Sequence, residues 1–171
     1  PQVFDSLFAT PFPKEKLLSN VQNIYATTQA FAALKNDGSV EVWGRPHFGG
    51  YKGVISGKQS GFSSDGSKYY SSSVNWPGDT KPSGGEQEPT AIIHEDVTNQ
   101  LSSGIVNIQS NDNAFAALKD DGSVVTWGTY NWGGNSSSVS DQLTSGVVKI
   151  FSTSNAFAAL KDDGSVVTWG T

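Results

Sequence analysis

The sequence predicts an all-β fold made of tandem antiparallel repeats. Three observations predict it. The string Ala-Phe-Ala-Ala-Leu-Lys-(Asn/Asp)-Asp-Gly-Ser-Val occurs at residues 30–40, 114–124 and 156–166, and each copy runs on to a Trp-Gly pair. The last two copies begin 42 residues apart and the first two 84 residues apart, twice that distance. Each copy places a β-type alternation before an Asp-Gly turn, which is typical of a hairpin. Such proteins build their surface by stacking units.

The repeated region is longer than the identical string. Three stretches align without a gap and share one leucine position, which is Leu17, Leu101 or Leu143. We therefore divide the chain into an arm, three repeats and two connecting segments. The predicted boundaries are 1–12 for the N-terminal arm, 13–44 for repeat 1, 45–96 for an insertion or decayed repeat, 97–128 for repeat 2, 129–138 for a connector and 139–171 for repeat 3.

Each repeat is predicted to hold one helical turn followed by three strands. The helical turn ends at the shared leucine, and in two repeats it opens on Thr98 or Ser140, whose hydroxyls suit an N-cap. The second and third strands are separated by a turn such as Asp162-Asp163-Gly164. Asp-Gly supplies the positive φ that a tight hairpin needs. In repeat 3 the strands are expected at 147–151, 156–161 and 165–169.

The second strand of each repeat is predicted to be an inner strand with a neighbour on both sides. It carries no charge before its final Lys, so neither of its faces is suited to water. Its alanines let another layer approach closely, and its Phe is expected to fill the space between layers. The closing Trp adds a large buried area. We interpret these aromatics as core rather than as a ligand-stacking platform: Phe31, Phe115, Phe157, Trp43, Trp127 and Trp169.

The order of these features resembles the repeat of the regulator of chromosome condensation family. The shared pattern is a Val-x-x-Ile strand, the Ala-Phe-Ala-Ala-Leu-Lys strand, the Asp-Gly hairpin and a strand that ends in Trp-Gly. The short period and the lead-in Ser145-Gly146-Val147 are most similar to the secreted bacterial members, such as the propeller proteins that inhibit β-lactamases. The resemblance implies propeller blades in a closed seven-bladed ring. We expect propeller-blade-like repeats of about 42 residues, in three copies, too few to close that ring.

The sequence departs from the family pattern on both sides of the second hairpin. The Gly-Gly-x-His that usually precedes the second strand is replaced by polar runs such as residues 152–155. The Gly-Gln-Leu-Gly that usually follows Trp-Gly is reduced to Gly49-Gly50 or Gly133-Gly134. The guanine-exchange activity of the eukaryotic members belongs to particular loops and is not carried over to any residue of this chain.

Residues 45–96 are the irregular part of the chain. The connector between repeats 2 and 3 is shorter by one full period, so either a repeat has decayed here or a segment has been inserted. Gly85 and Glu86 stand where a decayed repeat would keep Trp-Gly, which favours insertion. Long loops on repeat scaffolds often carry binding. The aromatics of this segment either form a contact patch or cover the segment's own small core: Tyr69, Tyr70 and Trp76.

The composition is that expected of a secreted protein, located outside the cell or on its surface. A net charge of −5 and the lack of any basic cluster argue against nucleic-acid binding. There is no Cys, and no apolar run is long enough to span a membrane. The absence of Met, with Pro1 at the start, is explained by a removed signal peptide or by a longer original array. Asn135-Ser136-Ser137 is an acceptor triplet for N-glycosylation.

Catalytic side chains are scarce. The only histidines are His47 and His94, and no Cys is present to assist them. We interpret His94-Glu95-Asp96 as a solvent-facing charged cluster rather than a metal or acid-base site. The hairpin pairs Asp120-Asp121 and Asp162-Asp163 have a turn-forming reason that does not require calcium. We therefore expect neither an enzyme nor a bound cofactor or metal.

The repeat phase favours a structural subunit over a binding module. Repeat 3 stops just after its Trp-Gly, at Thr171, so it is expected to expose the surface that repeat 2 buries, while repeat 1 exposes the reciprocal surface. Complementary ends on one molecule give a head-to-tail contact between copies, and hence a ring or a filament. We predict self-assembly into an extracellular fibre. The alternative is a secreted module that binds a protein or a glycan.

The predicted contact joins the apolar N-terminal arm to the edge of the last strand. So much apolar surface must be covered, either by its own chain or by a neighbouring copy. We expect the arm to add a strand to the last repeat of a neighbour. The predicted assembly residues are Val3, Phe4, Leu7, Phe8 and Phe12 in the arm and Val166, Val167 and Trp169 at the edge.

Overall fold

The structure, a computed structural model, describes residues 19–45, 48–52 and 96–171, together with the backbone of three short strands between residues 56 and 93. The chain divides into two units, of which the first is Pro1–Lys52 with Asp96–Thr171 and the second is Gly53–Glu95. Because the arm lies outside the described residues, the predictions about it remain predictions.

The first unit contains three antiparallel sheets of three strands each, which we call blades 1, 2 and 3. The repeated string forms the central strand of every blade, so the predicted all-β repeat fold with an inner second strand is confirmed. In chain order, blade 1 is β1 (Val21–Ala26), β2 (Ala30–Lys35) and β3 (Val40–Gly44); the second unit holds β4 (Ser56–Phe62), β5 (Lys68–Tyr70) and β6 (Ala91–Ile93); blade 2 is β7 (Ile105–Ser110), β8 (Ala114–Lys119) and β9 (Val124–Gly128); blade 3 is β10 (Val147–Ser152), β11 (Ala156–Lys161) and β12 (Val166–Gly170).

The three blades share one strand register. The Phe of the central strand pairs with the closing Trp in every blade, as Phe31 does with Trp43. The paired rings stack with centroids 5.3, 5.1 and 5.5 Å apart in blades 1, 2 and 3. A register shift follows the first residue of the first strand in each blade. Since a slip by one residue would turn every side chain to the other face, this common register gives all three blades the same two faces.

Each second hairpin turns on a glycine in the left-handed region. In blade 2 Gly122 has φ +79°, and its N–H donates to the carbonyl three residues earlier at 3.0 Å. The Oδ1 of Asp121 accepts from the hydroxyl of Ser123 at 2.6 Å and from its N–H at 2.9 Å. The hydroxyl bond first, and the N–H bond second, lower the pKa of Asp121. Asp37 and Asp163 repeat these bonds, which confirms the turn-forming role of the hairpin carboxylates.

The helical turn that precedes a blade starts differently from the prediction. In repeat 3 it is a 3-10 helix, Ser137–Leu143, so the predicted cap Ser140 lies inside it, and Ser136 before it makes no side-chain capping bond. In repeat 2 the Oδ1 of Asp96 accepts the N–H of Thr98 at 2.9 Å. The predicted capping hydroxyls are therefore wrong, because a carboxylate is the stronger acceptor in repeat 2 and the helix of repeat 3 begins one turn earlier.

The second unit is a three-stranded antiparallel sheet in the order β5-β4-β6. Its central strand pairs with β5 at Gln59 and Phe62, and with β6 along residues 56–58. In the described part of the chain, no helix is both long and apolar enough to cross a membrane.

Candidate interaction faces

The blades stack so that the front face of one packs on the back face of the next. We call front the face that carries the first Ala of the repeated string, and back the face that carries its Phe. Two cores result. The first joins Ala30, Ala32, Leu34 and Val40 of blade 1 to Ile108, Phe115, Ala117, Val125 and Trp127 of blade 2, and the second joins Ala114, Ala116 and Leu118 of blade 2 to Ile150, Phe157, Ala159, Val167 and Trp169 of blade 3.

Blade 1 meets blade 2 directly, as blade 2 meets blade 3. The N–H of Ile105 donates to the Gly38 carbonyl at 3.0 Å, and at the equivalent place the N–H of Val147 donates to the Gly122 carbonyl at 3.0 Å. Equivalent positions are 84 residues apart in the first pair of blades and 42 residues apart in the second. The chain thus contains two copies of one blade-to-blade contact.

Each connector holds the next blade through a glycine. The indole N–H of Trp127 donates to the Gly49 carbonyl at 3.1 Å, and that of Trp169 donates to the Gly133 carbonyl at 3.1 Å. A Cβ at Gly133 would stand 2.6 Å from the ring of Phe157, so only glycine allows this approach. Reasoning from sequence treated these glycines as remnants of a longer motif and missed their role. The sequence held one signal of this role, since Gly49 and Gly133 follow the Trp-Gly pairs of blades 1 and 2 at the same distance.

The two connectors differ at a single point. The N–H of Val97 donates to the Lys52 carbonyl at 2.9 Å, and the equivalent bond joins Val139 to the Ser136 carbonyl at 3.0 Å. Between the bonded residues lie residues 53–96 in the first connector and only residues 137–138 in the second. The longer segment therefore leaves and rejoins the first unit at residues that are hydrogen-bonded to each other.

The back face of blade 1 is exposed at positions that are buried in the other two blades. Ile24 is 55% exposed, whereas its equivalents Ile108 and Ile150 are buried. Phe31 is 44% exposed, whereas the equivalent phenylalanines of blades 2 and 3 are buried. The prediction that Phe31 fills the space between layers is wrong, because no described blade lies behind blade 1.

The front face of blade 3 is the reciprocal surface. Val166 is 59% exposed, although the equivalent Val40 of blade 1 is fully buried. Phe151 on the same face is also exposed, and the Lys149 ammonium lies 4.9 Å from the centre of its ring. Reasoning from sequence missed Phe151, because the equivalent positions hold Tyr25 and Gln109 rather than a repeated Phe.

Glu41 sets the back face of blade 1 apart from the other back faces. It stands where blades 2 and 3 have the buried Val125 and Val167. Its Oε2 lies 3.4 Å from the Lys52 ammonium, which also donates to the Val40 carbonyl at 2.8 Å. The carboxylate is thus held at the edge of β3 by a cation of the connector.

An open groove of about 370 Å³ lies between the hairpin ends of blades 1 and 2. Its lining mixes one cation, Lys35, with the carboxylates of Asp37 and Asp120. No group of three or more potential metal ligands occurs within the described ranges.

The predicted assembly residues of β12 separate into two kinds. Val166 lies on the exposed front face, but the side chains of Val167 and Trp169 are buried against blade 2 and are not available to a partner. Tyr69 and Tyr70 lie on β5, with their side chains outside the described part of the chain. Trp76, His47, His94 and the five arm residues lie outside the described residues altogether. Asn135 is half-buried in the second connector.

No protein-family model matches the chain, and no curated protein matches it. Among solved structures, the chain is similar to Prp20p from Saccharomyces cerevisiae, for which binding properties to Gsp1p and histones are described. The similarity covers 88% of this chain, with 20% sequence identity and a TM-score of 0.45, and the chain spans 31% of the length of Prp20p. Prp20p is a β-propeller of the regulator of chromosome condensation family. Similarity to the short-period secreted bacterial members remains a prediction.

Proposed function

We propose that the chain is a non-enzymatic structural subunit that assembles head to tail outside the cell, into a fibre or surface filament. In this assembly the front face of blade 3 of one copy packs on the back face of blade 1 of the next. The observation that carries the proposal is the exposure of Val166 and Ile24, since Ile108, Ile150 and Val40 are buried at the equivalent positions and Val124 is partly buried there. A front face and a back face on one molecule form a heterologous contact, which propagates unless its rotation closes a ring.

The two faces alone would give a weak contact. Fully burying one Ile, Val or Phe side chain contributes about 1.5–3 kcal/mol, and Ile24, Phe31, Phe151 and Val166 are about half-exposed, so together they contribute about 3–6 kcal/mol. Association costs about 4–15 kcal/mol in lost freedom of motion. The proposal therefore includes the N-terminal arm, since burying two of its phenylalanines on the neighbouring copy would add about 3–6 kcal/mol.

Electron microscopy and light scattering over a range of concentrations test the assembly. The parent chain should form long particles of constant width. Val166→Asp should raise the concentration needed for assembly at least tenfold, because it places a charge on the front face of blade 3. Val148→Asp is the matched control: Val148 is 53% exposed, but its equivalent Val106 is 51% exposed in a blade that is covered on both faces. A neighbouring blade therefore does not cover this position.

Several outcomes would overturn the proposal. A parent chain that stays monomeric at every concentration would exclude self-assembly, and equal effects of the two Asp variants would exclude the front face. A closed ring of a few copies would keep the contact but exclude a filament. Removal of residues 1–12 tests the arm: it should leave folded blades that no longer form long particles. Filaments that persist without the arm would limit the contact to the two blade faces.

A second candidate is a secreted module that binds a protein or a glycan through the second unit. The hydrogen bond between Val97 and Lys52 favours it, because this bond joins the residues on either side of the 44-residue segment 53–96 and closes the first connector without that segment. Such a point of attachment suits a recognition element on a rigid scaffold. A monomeric parent chain would favour this function over the structural one.

A further inference from the structure

We propose that Asn135 is an N-glycosylation site, which accepts an oligosaccharide from a lipid-linked donor when the chain passes through a compartment that holds the transferase. This inference rests on the proposed extracellular location and not on head-to-tail assembly. Asn135-Ser136-Ser137 is the only Asn-x-Ser/Thr triplet in the chain.

In the Asn135 side chain the oxygen is hydrogen-bonded and, within the described part of the chain, the nitrogen is not. Its Oδ1 accepts the N–H of Ser137 at 2.9 Å, and its own backbone N–H donates to the Tyr130 carbonyl at 3.3 Å. Among the described residues, no hydrogen bond uses the Nδ2 of Asn135 or the hydroxyl of the exposed Ser137. The hydroxyl of Ser136, in contrast, pairs with that of Thr126 at 3.0 Å. The two groups that define the acceptor are thus free, and the middle residue is tied to the blade.

Asn135 lies next to the point at which the two connectors differ in length. Ser137 and Ser138 stand where the first connector carries residues 53–96, and the equivalent backbone bond closes both connectors. A glycan is bulky and solvated, and Ser137, the hydroxyl residue of the triplet, is exposed. Asn135 belongs to the connector between blades 2 and 3 rather than to either proposed assembly face.

The chemical step is a transfer to nitrogen. The Nδ2 of Asn135 forms a bond to the anomeric carbon of the sugar, and the bond from that carbon to the lipid pyrophosphate breaks. The lipid pyrophosphate leaves with the electron pair, and one Nδ2 proton passes to a base of the transferase. No redox partner is needed.

The test is translation of the full chain, behind a cleavable signal peptide, in the presence of microsomes that hold oligosaccharyltransferase and its lipid-linked donor. The expected product is a single heavier species that peptide-N-glycosidase returns to the unmodified size, with Asn135 converted to Asp in the mass spectrum. Asn135→Gln and Ser137→Ala should abolish the heavier species, and Ser137→Thr should keep it. Ser136→Ala is the matched control and should also keep it, since the middle residue takes no part in transfer.

A parent chain that is imported, as shown by signal-peptide cleavage and protection from protease, but stays unmodified would overturn the proposal. Loss of the heavier species in Ser136→Ala would show that the Ser136 contact to Thr126, and not the acceptor pair, governs modification. Assembly is measured separately on chain produced without glycosylation. Failure of the glycan site and failure of the filament therefore give different results.

Discussion

The indole N–H of Trp169 donates to the Gly133 carbonyl at 3.1 Å, and this bond ties the last strand of blade 3 to the connector that leaves blade 2. Trp127 and Gly49 make the same bond one step earlier. Both tryptophans are buried, and leaving such an N–H without an acceptor would cost about 1–3 kcal/mol. Each connector therefore fixes the position of the next blade by one directed bond as well as by apolar packing.

The glycine in this contact gives the first prediction. Gly133→Ala and Gly164→Ala both place Ala in the left-handed region, at φ +93° and +83°, which costs about 1–2 kcal/mol. Only the Cβ at position 133 meets a ring, that of Phe157, whereas nothing lies within 4 Å of a Cβ at position 164. Overpacking adds about 1–3 kcal/mol, so chemical denaturation should show the larger loss of stability for Gly133→Ala. Equal losses would contradict the close approach of connector and blade.

The hairpin carboxylates give a prediction about pH. The pKa values of Asp37, Asp121 and Asp163 lie below the ordinary value of 3.8, chiefly because each carboxylate accepts from the hydroxyl of a Ser two residues on. Groups whose pKa is lower in the folded chain stabilise it above the unfolded pKa and lose that effect as the pH falls through the folded pKa. We expect their contribution to be complete well above pH 3.8 and to be lost as the pH falls through the folded pKa values, which lie below 3.8.

Ser123→Ala isolates one of these hairpins. Removal of the hydroxyl should raise the pKa of Asp121 towards 3.8, as measured by NMR titration, while the pKa of Asp163 in the next blade stays unchanged. A parent Asp121 that titrates at or above 3.8 would contradict the role assigned to the Ser123 hydroxyl.

Substitution of Glu41 is predicted to strengthen assembly. Glu41→Val places on blade 1 the residue that blades 2 and 3 bury at this position, so the proposed contact should form at lower concentration. Glu41→Gln, which removes the charge but keeps the polar group, should have a smaller effect. Light scattering measures both. Assembly of Glu41→Val that is unchanged or weaker would show that the neighbouring copy does not pack on this part of the back face.

The insertion point gives the last prediction. Replacing residues 53–96 by Ser-Ser, the two residues found at the equivalent place in the second connector, should leave the three blades folded, with the far-ultraviolet β signal of their strands retained. The melting temperature should change little, because loop length alters closure entropy only slowly. Loss of the β signal would show that the first unit needs the segment for its own core.

Sequence reasoning predicted the fold well where local chemistry decides it. The repeated string identified the central strands, and Asp-Gly identified hairpins such as that at Asp121 and Gly122, because a left-handed glycine and an Asp-Ser bond are properties of a few adjacent residues. Sequence reasoning predicted the helical caps poorly. The N–H of Thr98 donates to Asp96, but several other polar side chains nearby in sequence could have accepted it. It predicted a complementary pair of ends from repeat phase alone, but with Val167 and Trp169 among the contact residues, whose side chains face the chain's own core.

By itself, the sequence determined that this protein is a set of equivalent β blades, because three near-identical strings at one period fold by the same local rules. Only the tertiary structure decided which equivalent residues are buried. Phe115 and Phe31 have the same neighbours in sequence, yet one is enclosed and the other is 44% exposed, because burial depends on whether another blade lies behind the residue. Likewise, Gly49 is one of many glycines in the sequence, and its role follows from the ring of Phe115 and the indole of Trp127, which belong to another blade.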